Sequence, residues 1–409
     1  MKKLLIISSE YPFGLKEQFL NNEVNMLKTE FAITLIPTEF NKNSVIRSNY
    51  TGFNVLDIRK TSTLKKIAAI VKTLSFFCSK VFWSEFKFML KKGFSVRNLG
   101  HLIMFTIKGE YKYRLIRSSF SGYGCTDTVI YSYWFYYQSF ISSRLKSKFN
   151  NKTISRAHGF DLYEYRNKGD YIAYRNYILD TVDKLYLISN NGYQYLESKY
   201  KKYAEKFVVN KLGTTDFGLA DCNATQIVKI VSCSWMVPIK RINLVVETLS
   251  LITEFRIEWT HFGSGPLFGL IKERCSKLPK NISFHLKGQT ENKDIIDFYK
   301  DNHVDWFINV SESEGIPVSI MEAISFGIPI IATNVGGNSE IVIDGKNGYL
   351  LDKNFDLEDL KLLIEMSVNM TFNERQKLRK NSRTIWQESY NILENIKGFE
   401  DEIKELYKH

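Results

Sequence analysis

Two carboxylates and two cations carry the plainest chemistry in this sequence. Glu314 and Glu322 lie within Ser311-Glu-Ser-Glu-Gly-Ile-Pro-Val-Ser-Ile-Met-Glu322, and Lys240 and Arg241 close Val237-Pro-Ile-Lys-Arg241. Carboxylates accept hydrogen bonds from sugar hydroxyls, and cations meet phosphate. Between the two acids, the N–H groups of Gly315, Ile316 and Val318 stand where a loop opens into a helix, so they can point at one ligand. The set suits a polyhydroxylated ligand that also bears phosphate. A blander reading competes: Ser319-Ile-Met-Glu322 also spells a capping box, in which Glu322 merely reaches back to the N-cap amide.

These residues need elements to hold them. The apolar run Asp305 to Ser311 reads as a buried strand, Gly315 and Pro317 break it, and a helical pattern runs from Ser319 to Gly327 before the next strand at Ile328. Strand, loop, helix, strand is the unit of a parallel sheet, whose strand ends open into a ligand crevice. Upstream, Ile227 to Ser232 reads as a strand and Asn243 to Ile252 as a helix, with Lys240 and Arg241 at its start. There a cation pair would add to the positive end of the helix dipole.

The first half of the chain repeats the alternation. Strands are expected at Leu4–Ser8, Phe31–Ile36, Val129–Trp134, Thr153–Ala157, Lys184–Ile188 and Phe207–Asn210. Gly14 falls in the first strand-to-helix turn, where it can let a phosphate or sugar approach the backbone or serve as an ordinary turn glycine. His158 follows a strand directly and is placed either to line a crevice or to be buried structurally. A GxGxxG fingerprint is absent.

At 409 residues the chain is too long for one ordinary core, so two domains are expected, with a polar linker near Asp216–Thr225. A formal charge of +12 asks for an acidic partner: nucleic acid, anionic lipid or a phosphorylated substrate. Five scattered cysteines with no CxxC pair argue for reduced thiols and against a zinc site. The opening Met-Lys-Lys-Leu-Leu-Ile-Ile is too short in its apolar part for a signal peptide, and no run approaches the roughly 20 apolar residues of a spanning helix. Residues 61–120 differ from the rest: lysines and arginines there face only Glu85 and Glu110, with Phe and Trp interleaved. Helices of this kind lie on anionic bilayers. The alternative is aromatic core with a solvated basic face. No nucleic-acid-binding module accompanies the charge. The charged tail, Asn373–His409, is expected to be helical, with Trp386 and Tyr390 anchoring it across both domains.

Taken together, Glu314 to Glu322, the Gly-Ile-Pro-Ile-Ile-Ala-Thr-Asn-Val-Gly-Gly that follows and Asn347-Gly-Tyr-Leu-Leu351 resemble retaining glycosyltransferases of family 4. Tyr11-Pro-Phe-Gly14 with Glu17, Tyr131-Ser-Tyr-Trp134, Arg156-Ala-His-Gly-Phe-Asp-Leu-Tyr163 and Val237 to Arg241 are similar to the branch that builds colanic-acid, amylovoran and O-antigen-type polysaccharides. The resemblance implies an α/β GT-B fold: two Rossmann-like domains facing each other across a cleft, with a C-terminal helix crossing back. It implies an acceptor-binding domain over 1–212, a nucleotide-sugar domain over 213–380 and a returning tail over 381–409.

It also implies roles. Glu314, with Gly315, Ile316, Pro317 and Val318, would hold the donor sugar; Glu322 would bind the donor ribose, Lys240 the diphosphate and Gln289 the base. His158 would stand near the transferred sugar and Gly14 near the diphosphate. Where many members carry an arginine five residues before that lysine, this chain has Trp235, and Arg241 is a candidate to supply the missing charge.

The activity implied is metal-independent, retaining transfer of a hexose-type sugar from a nucleotide diphosphate sugar, a UDP-sugar before a GDP-sugar, with no other cofactor. The acceptor implied is an undecaprenyl-diphosphate-linked oligosaccharide in surface polysaccharide synthesis (O-antigen, capsule or exopolysaccharide). The enzyme would be cytoplasmic, held at the inner face of the plasma membrane. A nucleotide-sugar epimerase of similar architecture and a non-catalytic binder of anionic lipid or nucleic acid remain the alternatives.

Overall fold

The computed structural model describes residues 1–14, 17–39, 52–120, 127–220 and 227–408. Two compact units emerge. The first comprises residues 1–188, 192–210 and 396–409; the second comprises 189–191 and 211–395. The expected linker at 216–225 lies past the crossover near residue 210, and its residues 221–225 fall outside the described set, as do Cys125 and Cys222.

In the first unit the chain forms β1 (Lys2–Ser8), α1 (Gln18–Leu27), β2 (Phe31–Pro37), β3 (Asn54–Val55), α2 (Thr63–Phe76), α3 (Lys80–Lys91), α4 (Val96–Ser119), β4 (Thr128–Ser132), α5 (Tyr137–Phe149), β5 (Lys152–Ala157), α6 (Arg175–Thr181), β6 (Lys184–Leu187), α7 (Asn190–Tyr200) and β7 (Phe207–Val209). All seven strands are parallel, in the order β3-β2-β1-β4-β5-β6-β7. Leu4 to Ile7 are fully buried, the near-continuous apolar strand that helices on both faces of a parallel sheet demand. The segment 61–120 folds as α2, α3 and α4. Phe76, Phe82 and Phe105 enter the core while Trp83 and Phe94 remain exposed.

The second unit repeats the scheme with β8 (Ile227–Cys233), α8 (Ile242–Ser250), β9 (Arg256–Phe262), α9 (Phe268–Cys275), β10 (Ile282–Gly288), α10 (Asn292–Asp301), β11 (Trp306–Asn309), α11 (Val318–Ser325), β12 (Ile330–Thr333), α12 (Asn338–Ile341), β13 (Gly348–Leu351), α13 (Leu357–Asn369) and α14 (Phe372–Ser389). Its six parallel strands run β10-β9-β8-β11-β12-β13. This is a doubly wound order that reverses between β8 and β11.

The tail is two helices, because the chain breaks after Ser389 before α15 (Ile392–Glu405) begins. The boundary expected at 380 therefore falls inside α14, which belongs wholly to the second unit. Among the described residues Trp386 and Tyr390 make their hydrogen bonds within that unit: the Trp386 indole donates to Thr214 Oγ1 at 2.8 Å, and the Tyr390 carbonyl accepts from Thr214 N at 2.9 Å. Phe399 and Tyr407 hold the returning segment in the first unit. The Phe399 ring packs edge-on to Tyr131 and Tyr186, with the buried Arg156 guanidinium 4.6 Å from its centre, and the Tyr407 hydroxyl donates to Lys3 O at 2.6 Å.

Candidate active site

The strand order of the second unit puts β8 beside β11, so the loops leaving their carboxyl ends meet. Glycine turns fix the β8–α8 loop. Gly263 has φ +135°, and a Cβ there would stand 1.9 Å from Ser234 O. Ser234 N donates to Phe262 O and Met236 N to Ser264 O, zipping this loop to the one after β9. Residues Pro238–Lys240 then form a single 3-10 turn, and Glu312 N donates to Ile239 O at 2.8 Å, drawing that turn against the β11 loop. The contact brings the Lys240 ammonium onto Glu314 Oε1. Asn309 Nδ2 donates to the same oxygen at 3.3 Å.

The Gly336-Gly337 turn lies directly beneath. A Cβ at Gly336 (φ +54°) would meet Glu314 O at 1.9 Å, and Gly337 N donates to Gly315 O at 2.7 Å. Above that support, the N–H groups of Gly315, Ile316 and Val318 have no acceptor among the described residues, so they are available to a ligand.

Glu322 departs from the capping-box reading. The helix α11 starts at Val318 with Pro317 at its N-cap and no side-chain cap, because Pro317 supplies the fixed φ that starts the turn. The Glu322 carboxylate instead accepts from Asn292 Nδ2 at 2.7 Å. Burial pushes its carboxyl up to about 7, with only the Asn292 amide opposing. The neighbouring Cys233 thiol is pushed to about 12, by burial first, with Glu322 adding and Lys240 opposing. Glu322 and Lys240 thus act with opposite sign on one thiol, and Lys240 is the residue paired with Glu314.

Arg241 does not join them. Its guanidinium donates to the carbonyls of Val310 (2.7 Å), Lys353 (2.7 Å) and Ser311 (3.3 Å), and its backbone is left-handed with φ +50°. It braces the end of β11 and cannot replace the charge absent at Trp235, which is exposed in the β8–α8 loop. Lys240 stands just before α8, as expected: the helix begins at Ile242 with Arg241 as its N-cap. Gln289 follows β10, exposed, three residues before Asn292.

Gly14 and His158 belong to the first unit, each just past a strand end. Gly14 has φ +62°, and a Cβ there would meet Glu10 Oε2 at 2.7 Å. His158 is buried against the rings of Trp134 (4.5 Å) and Tyr133 (4.8 Å), and its backbone N–H donates to Asp161 Oδ1 at 2.9 Å. At this unit's own reversal of strand order, between β1 and β4, the buried Glu17 carboxylate accepts from the N–H groups of Ser9, Glu10 and Tyr11 and from Trp134 Nε1 at 2.6 Å.

Sequence reasoning missed Asn292, Asn309 and Cys233. Asn309, a polar residue inside the apolar run Trp306-Phe-Ile-Asn-Val310, carried a signal; Asn292 carried none. Among the described residues no group of three or more His, Cys, Asp or Glu is arranged to hold a metal ion.

The stretch that builds this site, residues 226–385, matches the family described as Glycosyl transferases group 1. The chain carries a group 1 glycosyltransferase domain. A UDP-N-acetylglucosamine–peptide N-acetylglucosaminyltransferase GtfA subunit of Streptococcus pneumoniae serotype 4 is 27% identical over 199 residues, covering 46% of this chain and 39% of that protein. A UDP-Gal:alpha-D-GlcNAc-diphosphoundecaprenol alpha-1,3-galactosyltransferase of Escherichia coli is 33% identical over 104 residues, a quarter of each chain. The matches therefore span well under half the length of these relatives. Among solved structures, the apo lipopolysaccharide outer core galactosyltransferase WaaB superposes with a TM-score of 0.71 at 13% identity over 99% of both chains. At that identity the likeness shows the fold, which is GT-B.

Proposed function

We propose that the protein is a retaining glycosyltransferase that moves a sugar from a UDP-sugar to a hydroxyl of a lipid-diphosphate-linked saccharide. The observation that carries the reading is the Lys240–Glu314 pair, held where the strand order reverses, beside the open N–H groups of Gly315, Ile316 and Val318. A nucleoside diphosphate sugar carries what these groups lack: phosphate for the ammonium, and hydroxyls for Glu314 and for Glu322, which has one amide donor of its own. Gln289, on the loop next to Asn292, is assigned to the base. The domain match supports transfer chemistry, and the names of the two relatives support UDP as carrier and, in one, a lipid diphosphate acceptor.

As the bond from C1 to the diphosphate breaks, negative charge grows on the departing oxygen. The acceptor oxygen bonds to C1 on the same face, and its proton passes to that departing phosphate. Lys240, released from Glu314 when donor binds, and the loop amides meet the growing charge, and a contact of this kind contributes about 3 kcal/mol. The charge is supplied by a side chain, so no metal enters the step. The parts that the family resemblance gives Gly14 and His158 in the first unit rest on that resemblance alone.

The test is a panel of UDP- and GDP-sugars with undecaprenyl-diphosphate saccharides, followed by NMR of the product's anomeric proton. The expected result is acceptor-dependent release of UDP and an α product from an α donor. Epimerised donor without acceptor would replace the reading by the epimerase alternative, and failure of every nucleotide sugar to bind would remove it.

A further inference from the structure

We infer that the outward faces of α2 and α3 form a docking surface for an anionic phospholipid bilayer. Along α2 the core takes only Ala69, Thr73 and Phe76, one narrow stripe. Near the opposite side of the same helix stand Leu64, Ile67, Ile70, Val71 and Leu74, each between 52% and 81% exposed. The spacing of 64, 67, 71 and 74 is that of a second apolar face. The next helix, α3, repeats the arrangement: Phe82, Glu85 and Met89 are buried, while Trp83, Lys87 and Leu90 share the exposed side. Both helices pack on α4, so both faces turn away from the unit. A water-soluble fold gains nothing by leaving so many large aliphatic groups on one contiguous face.

Charge selects the occupant. Lys65, Lys72, Lys80, Lys87 and Lys91 are exposed on these helices and form no ion pair among the described residues. The one acid between residues 61 and 97, Glu85, is buried and accepts from the Tyr171 hydroxyl at 2.6 Å. A second copy of this face would bring lysines against lysines. An anionic bilayer offers the complement to both features, acyl chains for the aliphatic stripe and headgroups for its flanking cations. Insertion is shallow in this arrangement, because no single helix among the described residues is long and apolar enough to cross; α2 and α3 reach that composition only jointly and are bent by 52°.

The test uses the full chain and extruded vesicles of phosphatidylglycerol with phosphatidylethanolamine, against phosphatidylcholine alone, read by sedimentation without donor or acceptor. Sedimentation with the anionic vesicles only, reduced at least tenfold by the double variant Ile67→Glu, Leu74→Glu and by Lys65→Glu, Lys72→Glu, is the expected result. Brominated lipids should quench tryptophan fluorescence in the parent and much less in Trp83→Phe, which checks the face without a charge change. The proposal is overturned if the parent stays in solution, if the aliphatic variants bind as the parent does, or if sedimentation velocity finds a dimer that Ile67→Glu dissolves. The binding assay involves no sugar chemistry, so its failure leaves the transferase reading standing, and a failed transferase assay leaves the docking surface standing.

Discussion

The two units share a doubly wound order, and each has a buried glutamate where that order reverses, but the two glutamates are satisfied differently. In the first unit Glu17 is held by three backbone N–H groups and the Trp134 indole, all neutral donors fixed in the fold. In the second, Glu314 is held by the Lys240 ammonium and the Asn309 amide, with open backbone donors beside it. A carboxylate surrounded by main-chain donors is part of the scaffold. One whose main partner is a long, rotatable lysine can exchange that partner for a ligand. The contrast supports the reading proposed above, in which chemistry belongs to the second reversal point and the first is part of the scaffold.

That contrast breaks most visibly at Glu17. Replacing it by alanine leaves four donors without their acceptor, one buried and three part-buried, and chemical denaturation should show a loss of about 4 kcal/mol. A loss under about 1 kcal/mol would put Glu17 on the same footing as Glu314. At the other point, Lys240→Ala should leave the melting curve nearly intact and lower the transfer rate about a hundredfold in steady-state assays; a variant that unfolds instead would make the pair structural. Glu322→Gln should weaken UDP binding about tenfold by calorimetry, with a change below threefold counting against its contact with the nucleotide.

The smallest effect is a pH slope. The folded Glu322 carboxyl titrates near 7, above its ordinary value of 4.5, so the folded protein binds this proton more tightly than the unfolded chain does. Its contribution to stability is therefore greatest below about 4.5 and declines as pH rises to about 7. Ligand hydroxyls need the ionised form, so UDP affinity should rise between pH 6 and pH 8 and flatten in Glu322→Gln. Glu164, in the first unit, is the internal control. Burial works against its charge, but donation from Tyr200 and Lys199 and the charge of Lys92 hold it down to about 2. Its stabilisation is present above about 4.5 and lost as pH falls towards 2, with no effect on UDP.

Much of this was legible in the chain itself. Apolar, β-branched runs punctuated by Gly and Pro gave the alternation of strands and helices, since a strand buried on both faces has no room for polar residues. The acids and cations were visible because charged residues at strand ends have few structural uses. Their partners were not: Arg241 sits next to Lys240 in sequence, yet a left-handed backbone at φ +50° sends it to carbonyl oxygens instead. Glu322 and Asn292 are thirty residues apart and meet only through packing.

The sequence by itself determined the parallel α/β class, the Glu314–Glu322 loop and the basic, aromatic character of residues 61–120, because these depend on local pattern and composition. Tertiary structure decided which cation faces Glu314, why Glu322 holds its proton near neutrality and which side of α2 stays bare. Ion pairing, desolvation and exposure are set by neighbours far away in the chain, and residue order alone does not specify those distances.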